Sequence, residues 1–282
     1  MKTFRRDGLR FDVTDRGPRQ GPAVVCLHGF PQDSTSYDEV APLLVEQGMR
    51  VLAPDQRGYS PGARPSERSA YAVPELVADV LSLLDTAGID AAHVVGHDWG
   101  GAVAWALAGR HPDRVRSVTA LSTPHPGALQ AAALRSSQAA RSAYMAFFAL
   151  PWLPETVALA GSGHLLRSGL RASGLPASQA DHYAERMSEP GALTAALGWY
   201  RAIPASRGYG AGRIRVPTGY LWGSRDPFFA RAAAEGTRDF VTAPFTAREL
   251  PDAGHWLPET RPDEVAELVL EVAADASAGP QR

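Results

Sequence analysis

The sequence is short of several things, and each shortage excludes something. It carries one cysteine, Cys26, in 282 residues, so no internal disulfide can form and no cysteine-based zinc site can be assembled. Cys26 lies inside an apolar run and is expected to be a buried, inert thiol. Lys2 is the only lysine; arginine supplies the other cations, which we read with the abundant alanine as coding bias rather than function. Neither charge dominates: 28 Lys and Arg against 30 Asp and Glu leave a net −2. No basic field exists to gather phosphates, which excludes nucleic acid as a main partner. There is no run of about 18 apolar residues, so no spanning helix and no membrane association are expected. Met1–Arg10 is charged and lacks the apolar stretch of a signal peptide, which points to the cytoplasm.

What is present alternates. Asp7-Gly8 between Thr3–Arg6 and Leu9–Thr14 is a hairpin signal. Ala23–Leu27, Val51–Ala53 and His93–Val95 are apolar without alternation, as strands buried on both faces are, and Val115–Leu121 alternates more. Between them, Leu76, Val80, Leu83, Leu84 and Ala87 recur at helical spacing over Pro74–Ala87, with Gly88 suited to the C-cap. Strand, helix, strand, repeated, predicts a mostly parallel sheet covered on both faces. The pattern breaks after Ser122: about His125 to Gly212 reads as helix and loop without a strand. Val216–Trp222 resumes the strands, Arg248–Leu250 is a shorter one, and Pro262–Val272 is a closing helix with Asp263 and Glu264 in its first turn. The expected organisation is 1–124 as the first part of an α/β core, 125–212 as a helical insertion, 213–273 as the second part, and 274–282 as a flexible tail.

The sharpest chemical signal is Gly96-His97-Asp98-Trp99-Gly100-Gly101, which follows a buried-type strand and opens a Gly/Ala-rich helix over Gly101–Ala108. That is the setting of a nucleophile elbow, a tight strand-to-helix turn that projects one side chain above the sheet, and here the side chain is a carboxylate. The bland alternative is a glycine-flanked turn whose aspartate caps the helix. The rest of the chain decides against it. A nucleophile in such a turn is followed in sequence by an acid and then a histidine. Asp226 stands in Trp222-Gly223-Ser224-Arg225-Asp226-Pro227 and His255 in Asp252-Ala253-Gly254-His255-Trp256, both after strand candidates. Upstream, Leu27-His28-Gly29-Phe30-Pro31 can aim the Phe30 N–H at a developing oxyanion. His28 and His97 are expected to hydrogen-bond loops together, and Arg57 to tie loops by its guanidinium. His125, His164 and His182 lack metal-ligand spacing, so no metal is expected.

Together these segments resemble the α/β-hydrolase superfamily, in its Asp-nucleophile branch, and within it the epoxide hydrolases. His28-Gly29-Phe30-Pro31 is similar to their oxyanion loop and Gly96-His97-Asp98-Trp99-Gly100 to their elbow. Asp55-Gln56-Arg57-Gly58-Tyr59-Ser60 is similar to their Asp-x-Arg-Gly segment. The likeness runs over nearly the whole chain. It implies an eight-stranded, mostly parallel sheet flanked by helices, with a helical cap inserted after the sixth strand. It also implies two cap tyrosines on the epoxide oxygen. Gly198-Trp199-Tyr200-Arg201 resembles the segment that carries one, and Tyr144-Met145-Ala146-Phe147-Phe148 the segment that carries the other, with Tyr183 as a spare. Gln32 departs from the family, many of whose members have Glu there. Phe30 stands where haloalkane dehalogenases often carry Asn, and Trp99 where fluoroacetate dehalogenases carry Arg, so both positions favour epoxide chemistry.

The chemistry so implied uses no cofactor. Asp98, ionised at neutral pH, attacks the epoxide carbon while Tyr200 and Tyr144 protonate the leaving oxygen. His255, oriented by Asp226, then activates water against the Asp98 ester, with the Phe30 and Trp99 N–H groups as the oxyanion hole. Phe30, Trp99, Phe147, Phe148, Trp152 and Trp199 are expected to wall an apolar pocket, so the expected partners are a small apolar epoxide and water, with the chain a monomer or homodimer. The alternatives are a haloalkane-type dehalogenase using the same aspartate, and a non-catalytic small-molecule binder of the same fold.

Overall fold

The structure, a computed structural model, describes residues 1–278. Its framework is one eight-stranded sheet: β1 (Thr3–Arg6), β2 (Leu9–Arg16), β3 (Ala23–Leu27), β4 (Arg50–Pro54), β5 (Ala92–His97), β6 (Val115–Leu121), β7 (Thr218–Gly223) and β8 (Phe245–Leu250), in the spatial order β1-β2-β4-β3-β5-β6-β7-β8. β1–β2 and β2–β4 are antiparallel and every later pair is parallel. The β1–β2 hairpin closes on Arg6↔Leu9, with Asp7 at φ 50° and Gly8 at φ 78°. Positive φ at both turn positions is what a tight two-residue hairpin requires.

The helices in chain order are α1 (Val40–Glu46), α2 (Val73–Ala87), α3 (Trp99–Arg110), α4 (Pro126–Ala133), α5 (Gln138–Arg141), α6 (Tyr144–Phe148), α7 (Leu153–Ala172, broken at Ala160–Gly163), α8 (Ala177–Ser188), α9 (Ala192–Arg201), α10 (Arg231–Gly236), α11 (Leu257–Thr260) and α12 (Pro262–Ala278). β3, β4 and β5 are buried at every residue, so their apolar runs do not alternate. Successive side chains feed two cores. Val24, Cys26, Val51 and Val95 join α1 and α12 on one face, while Val25, Leu27, Leu52 and Val94 join α2 and α3 on the other. Gly88, at φ 67°, ends α2 and lets Ile89 N–H reach the Leu84 carbonyl.

Between β6 and β7 the chain runs through α4–α9 without a strand. No single helix among the described residues is long and apolar enough to cross a membrane. Two expectations at the C-terminal end need correction. Helix α12 continues to Ala278, so residues 274–278 are helical rather than part of a tail. Alanine at 273, 274, 276 and 278 supplies high helix propensity, and nothing breaks the helix before Gly279. The remainder of the expected tail, 279–282, lies outside the described residues. β8 begins at Phe245, three residues earlier than its apolar pattern shows, because its full length pairs with β7 from Thr218↔Phe245 to Gly223↔Leu250.

The strand order turns at β3: the chain goes from β3 to β4 on one side, then returns to place β5 on the other. The crevice at the carboxyl ends of strands flanking such a turning point is where an open α/β sheet binds ligands. The loops after β3, β5, β7 and β8 carry Phe30, Asp98, Asp226 and His255 to that end.

Candidate active site

Asp98 sits between β5 and α3 at φ 50°, ψ −121°. Positive φ at a non-glycine residue costs on the order of 1–3 kcal/mol and persists only where the surroundings hold it. They do so by contact. A Cβ on Gly96 would lie 2.3 Å from the Gly100 carbonyl oxygen, and one on Gly100 would lie 2.1 Å from the Leu27 carbonyl oxygen. Thr123 Oγ1 donates to the Asp98 carbonyl at 2.7 Å, and the Phe30 N–H donates to Asp98 Oδ1 at 2.8 Å. The Phe30–Pro31 peptide beside it is cis.

Asp226, after β7, receives the N–H groups of Phe228 (2.7 Å) and Phe229 (3.1 Å) on Oδ1. Its Oδ2 lies 2.8 Å from His255 Nδ1, and His255 Nε2 lies 3.7 Å from Asp98 Oδ2. The imidazole is enclosed by Phe228 and Trp256, with ring centroids 4.8 and 5.0 Å away. Burial opposes charge on His255, but Asp226 and then Asp98 outweigh it and hold the imidazole pKa up, at about 10. Burial likewise opposes charge on Asp98, and His255, with smaller help from His97 and the Phe30 amide, holds the carboxylate below its usual range.

Above these groups is a cavity of about 290 Å³ lined by Asp98, His255, Tyr144, Tyr200, Phe30 and Phe148, among others. Tyr144 comes from α6 and Tyr200 from α9; their rings are 6.3 Å apart, and Tyr200 stands edge-on to Phe30 at 5.4 Å. Both hydroxyls are held in the protonated form. Burial is the main cause, followed for Tyr144 by the Asp98 and Asp226 charges and for Tyr200 by Tyr144 and Asp98. Tyr183 is not in this cavity: it is buried in α8 and donates to Glu259 Oε1 at 3.0 Å.

Phe30, Phe147 and Phe148 line the cavity as expected from the sequence, but three tryptophans do not. Trp199 is buried behind the wall and donates from Nε1 to the Arg57 carbonyl at 2.8 Å. It cannot share a face with Tyr200, since neighbouring positions on a helix point about 100° apart; Leu193, Leu197 and Tyr200, at i, i+4 and i+7, take the cavity side of α9 instead. Trp99 stacks edge-on against Tyr200 (5.1 Å) and Trp199 (5.7 Å), outside the lining. Its amide makes no hydrogen bond among the described residues, leaving the Phe30 amide as the one seated on the Asp98 carboxylate. Trp152, at the entry to α7, is 69% exposed.

A second layer joins the loops. His97 Nδ1 is 2.8 Å from Gln32 Oε1 and its Nε2 is 2.8 Å from the His255 carbonyl, which Ser122 Oγ also reaches at 2.7 Å. Gln32 Oε1 also accepts the Gly29 N–H at 2.7 Å, and Gln32 Nε2 donates to Glu259 Oε1 at 2.6 Å. Burial and the neighbouring His255 keep His97 neutral, at about 3. His28 Nε2 accepts the Gln56 N–H at 3.1 Å, and Arg57 forks onto both Asp79 oxygens at 2.7 Å each. Among the described residues no group of three or more His, Cys, Asp or Glu side chains could hold a metal ion. Glu259, Phe228 and Trp256 were not singled out by sequence reasoning. Only the last two had a visible signal: Phe228 stands two residues after the acid and Trp256 directly follows the histidine.

Comparison with known proteins gives a concordant result. The family model for the alpha/beta hydrolase fold matches residues 22–262. The chain is 34% identical over 271 residues to the AB hydrolase superfamily protein YfhM of Bacillus subtilis, covering 94% of each. It is 32% identical to epoxide hydrolase A of Mycobacterium tuberculosis, again covering 94% of each. Among solved structures it is similar to epoxide hydrolase A from Mycobacterium thermoresistibile, with a TM-score of 0.81, 28% identity and 96% of each chain covered.

Proposed function

The chain belongs to the α/β-hydrolase family, in the group of its epoxide hydrolases, and from that membership and the geometry of the site we propose that it opens a small apolar epoxide to a vicinal diol through an ester on Asp98. One observation carries the reading beyond the family: two un-ionised hydroxyls, Tyr144 and Tyr200, line the same cavity as the Asp98 carboxylate. When an epoxide carbon is attacked, its oxygen stays on the substrate as an alkoxide and needs a proton. A departing halide needs none. Paired hydroxyl donors therefore suit ring opening.

The Asp98 oxygens divide the work. Oδ1 is held by the Phe30 N–H, while Oδ2 faces His255 and the cavity. Oδ2 attacks the epoxide carbon, the C–O bond of the ring breaks, and a tyrosine proton goes to the freed oxygen. Asp98 is now a neutral ester with Oδ1 as its carbonyl. His255, which the Asp98 charge helps keep protonated in the free enzyme, passes that proton to the tyrosinate once Asp98 is an ester; held by Asp226, it then takes a proton from water, and the hydroxide attacks Cγ. The oxyanion forms on Oδ1, against the Phe30 N–H, with the Trp99 N–H at the start of α3 as the second donor in this reading. When the tetrahedral carbon collapses, the bond from Cγ to Oδ2 breaks, His255 returns its proton to the departing oxygen, the new Asp98 carboxyl gives its proton to His255, and the diol leaves with the starting ionisation restored.

The test is a single turnover in ¹⁸O water with enzyme in excess. The expected product is unlabelled diol, with the label in Asp98 by peptide mass spectrometry. Labelled diol with unlabelled Asp98 removes Asp98 as nucleophile. A panel of epoxides beside haloalkanes, scored for diol and halide, separates this reading from a dehalogenase.

A further inference from the structure

Helix α11 begins two residues after His255 and carries Glu259, which is not among the residues that line the cavity. Both carboxylate oxygens are enclosed. Oε1 accepts from Gln32 Nε2 at 2.6 Å and from the Tyr183 hydroxyl at 3.0 Å, while Oε2 is buried with no hydrogen-bond partner. Glu259 makes no ion pair among the described residues. The groups facing it are Gln32 from the loop after β3, Tyr37 from the turn that follows, Tyr183 from α8 with Asp33 beyond it, and His255 from its own loop. Of these, His255 is the one that can become positive.

We propose that Glu259 is a positioning residue for the step in which water attacks the ester: it holds Gln32, and through it the oxyanion loop and His97 under the His255 backbone, and its negative charge favours the His255 imidazolium that this step creates. The inference rests on the reading given under Proposed function. The need for it follows from that chemistry. In the free enzyme two carboxylates, Asp226 and Asp98, favour a charged His255. Once Asp98 is an ester its charge is gone, just when His255 must accept a proton. Glu259 is a further carboxyl whose ionisation is linked to charge on His255.

The contacts run from Glu259 Oε1 to Gln32 Nε2, from Gln32 Oε1 to the Gly29 N–H and His97 Nδ1, and from His97 Nε2 to the His255 carbonyl; neutral His97 has one ring N–H and donates to one of the two oxygens it faces. Burial raises the Glu259 carboxyl, to about 7, against the opposing hydrogen bonds from Gln32 and Tyr183 and the smaller opposing effect of charge on His255. Linkage makes that effect mutual: whatever His255 does to the ionisation of Glu259, Glu259 does to the protonation of His255.

The experiment titrates His255 by NMR in an Asp98→Asn background, where the amide stands in for the uncharged ester and no turnover is needed. Adding Glu259→Gln, which keeps the shape and removes the charge, should lower the His255 midpoint by about one pH unit. Adding Tyr183→Phe instead, which takes one donor from Glu259 and makes its carboxylate form less favoured, should lower it by less. The same midpoint in all three proteins, each melting cooperatively, overturns the inference. If Glu259→Gln does not fold, the Tyr183→Phe pair decides alone. In the otherwise wild-type enzyme, Glu259→Gln should slow hydrolysis of the ester roughly 10-fold and change its formation less than about 2-fold. Equal slowing of both steps also overturns it. The lowered midpoint without any epoxide turnover by the wild-type enzyme would uphold the coupling and refute the proposed reaction, so the two can fail separately.

Discussion

His255 Nε2 stands 3.7 Å from Asp98 Oδ2, too far for a hydrogen bond and too near for an unrelated neighbour. In the proposed scheme the base therefore does not hold the nucleophile; Asp98 is held from its other oxygen by the Phe30 amide. The spacing suits a base that acts on a water beside the ester rather than on the carboxylate. His255→Gln should then leave ester formation in place and stop its hydrolysis. Intact-protein mass spectrometry after exposure to an epoxide should find the substrate's mass added to the protein, and a peptide map should place it on Asp98. A folded variant that turns over at the wild-type rate would remove His255 from the mechanism.

Tyr200 and Tyr144 share the task of protonating the ring oxygen in this scheme. Tyr200→Phe should slow ester formation by roughly 10- to 100-fold while Tyr144 remains, and should leave ester hydrolysis nearly unchanged. Rapid-quench measurement of the two steps separates them, and an unaltered rate of ester formation would free Tyr200 of the role.

The raised pKa of His255 has a sign that can be checked in stability. Its folded value of about 10 exceeds the ordinary 6.5, so charge on His255 stabilises the fold fully below about 6.5, and that stabilisation is lost as pH rises through about 10. The melting temperature of the wild type should fall relative to His255→Gln across that window. Parallel curves for the two proteins from pH 6.5 to 10 would contradict the assignment.

Gly100 has no room for a methyl group, since its Cβ would meet the Leu27 backbone carbonyl at 2.1 Å. Backbone cannot rotate aside as a side chain can. Gly100→Ala should cost about 1–3 kcal/mol, the range typical of overpacking, and displace Asp98 enough to abolish activity. A denaturant titration with a midpoint equal to the wild type would show that the elbow can relax.

Most of the sheet was legible because its strands declare themselves locally. β3 is apolar at every position and buried at every position, and Asp7-Gly8 supplies the two positive φ angles of the β1–β2 hairpin. The placement of Asp98, Asp226 and His255 was legible because each follows a strand whose carboxyl end faces one crevice. The insertion between β6 and β7 was legible as helical, but which of its side chains face the cavity was not. Trp152 and Trp199 are equally aromatic in the sequence, yet one is in solvent and the other is sealed against Arg57. Which side of a helix meets a cavity depends on how that helix lies across the sheet, and single residues do not encode it. Glu259 was illegible for a related reason: its partners Gln32 and Tyr183 are 227 and 76 residues away along the chain.

The same distances govern how the site comes into being. The Phe30 amide and the Asp98 carboxylate are 68 positions apart, Asp226 and His255 are 29 apart, and His97 meets the His255 carbonyl across 158. No contiguous fragment contains the constellation, and each contact waits for a different parallel strand to dock. Pairings of that kind close long loops before they return any energy, which makes them late events in folding. On the proposed chemistry, catalytic competence should thus come late as the polypeptide folds, and a partly folded chain that lacks these contacts should be chemically silent.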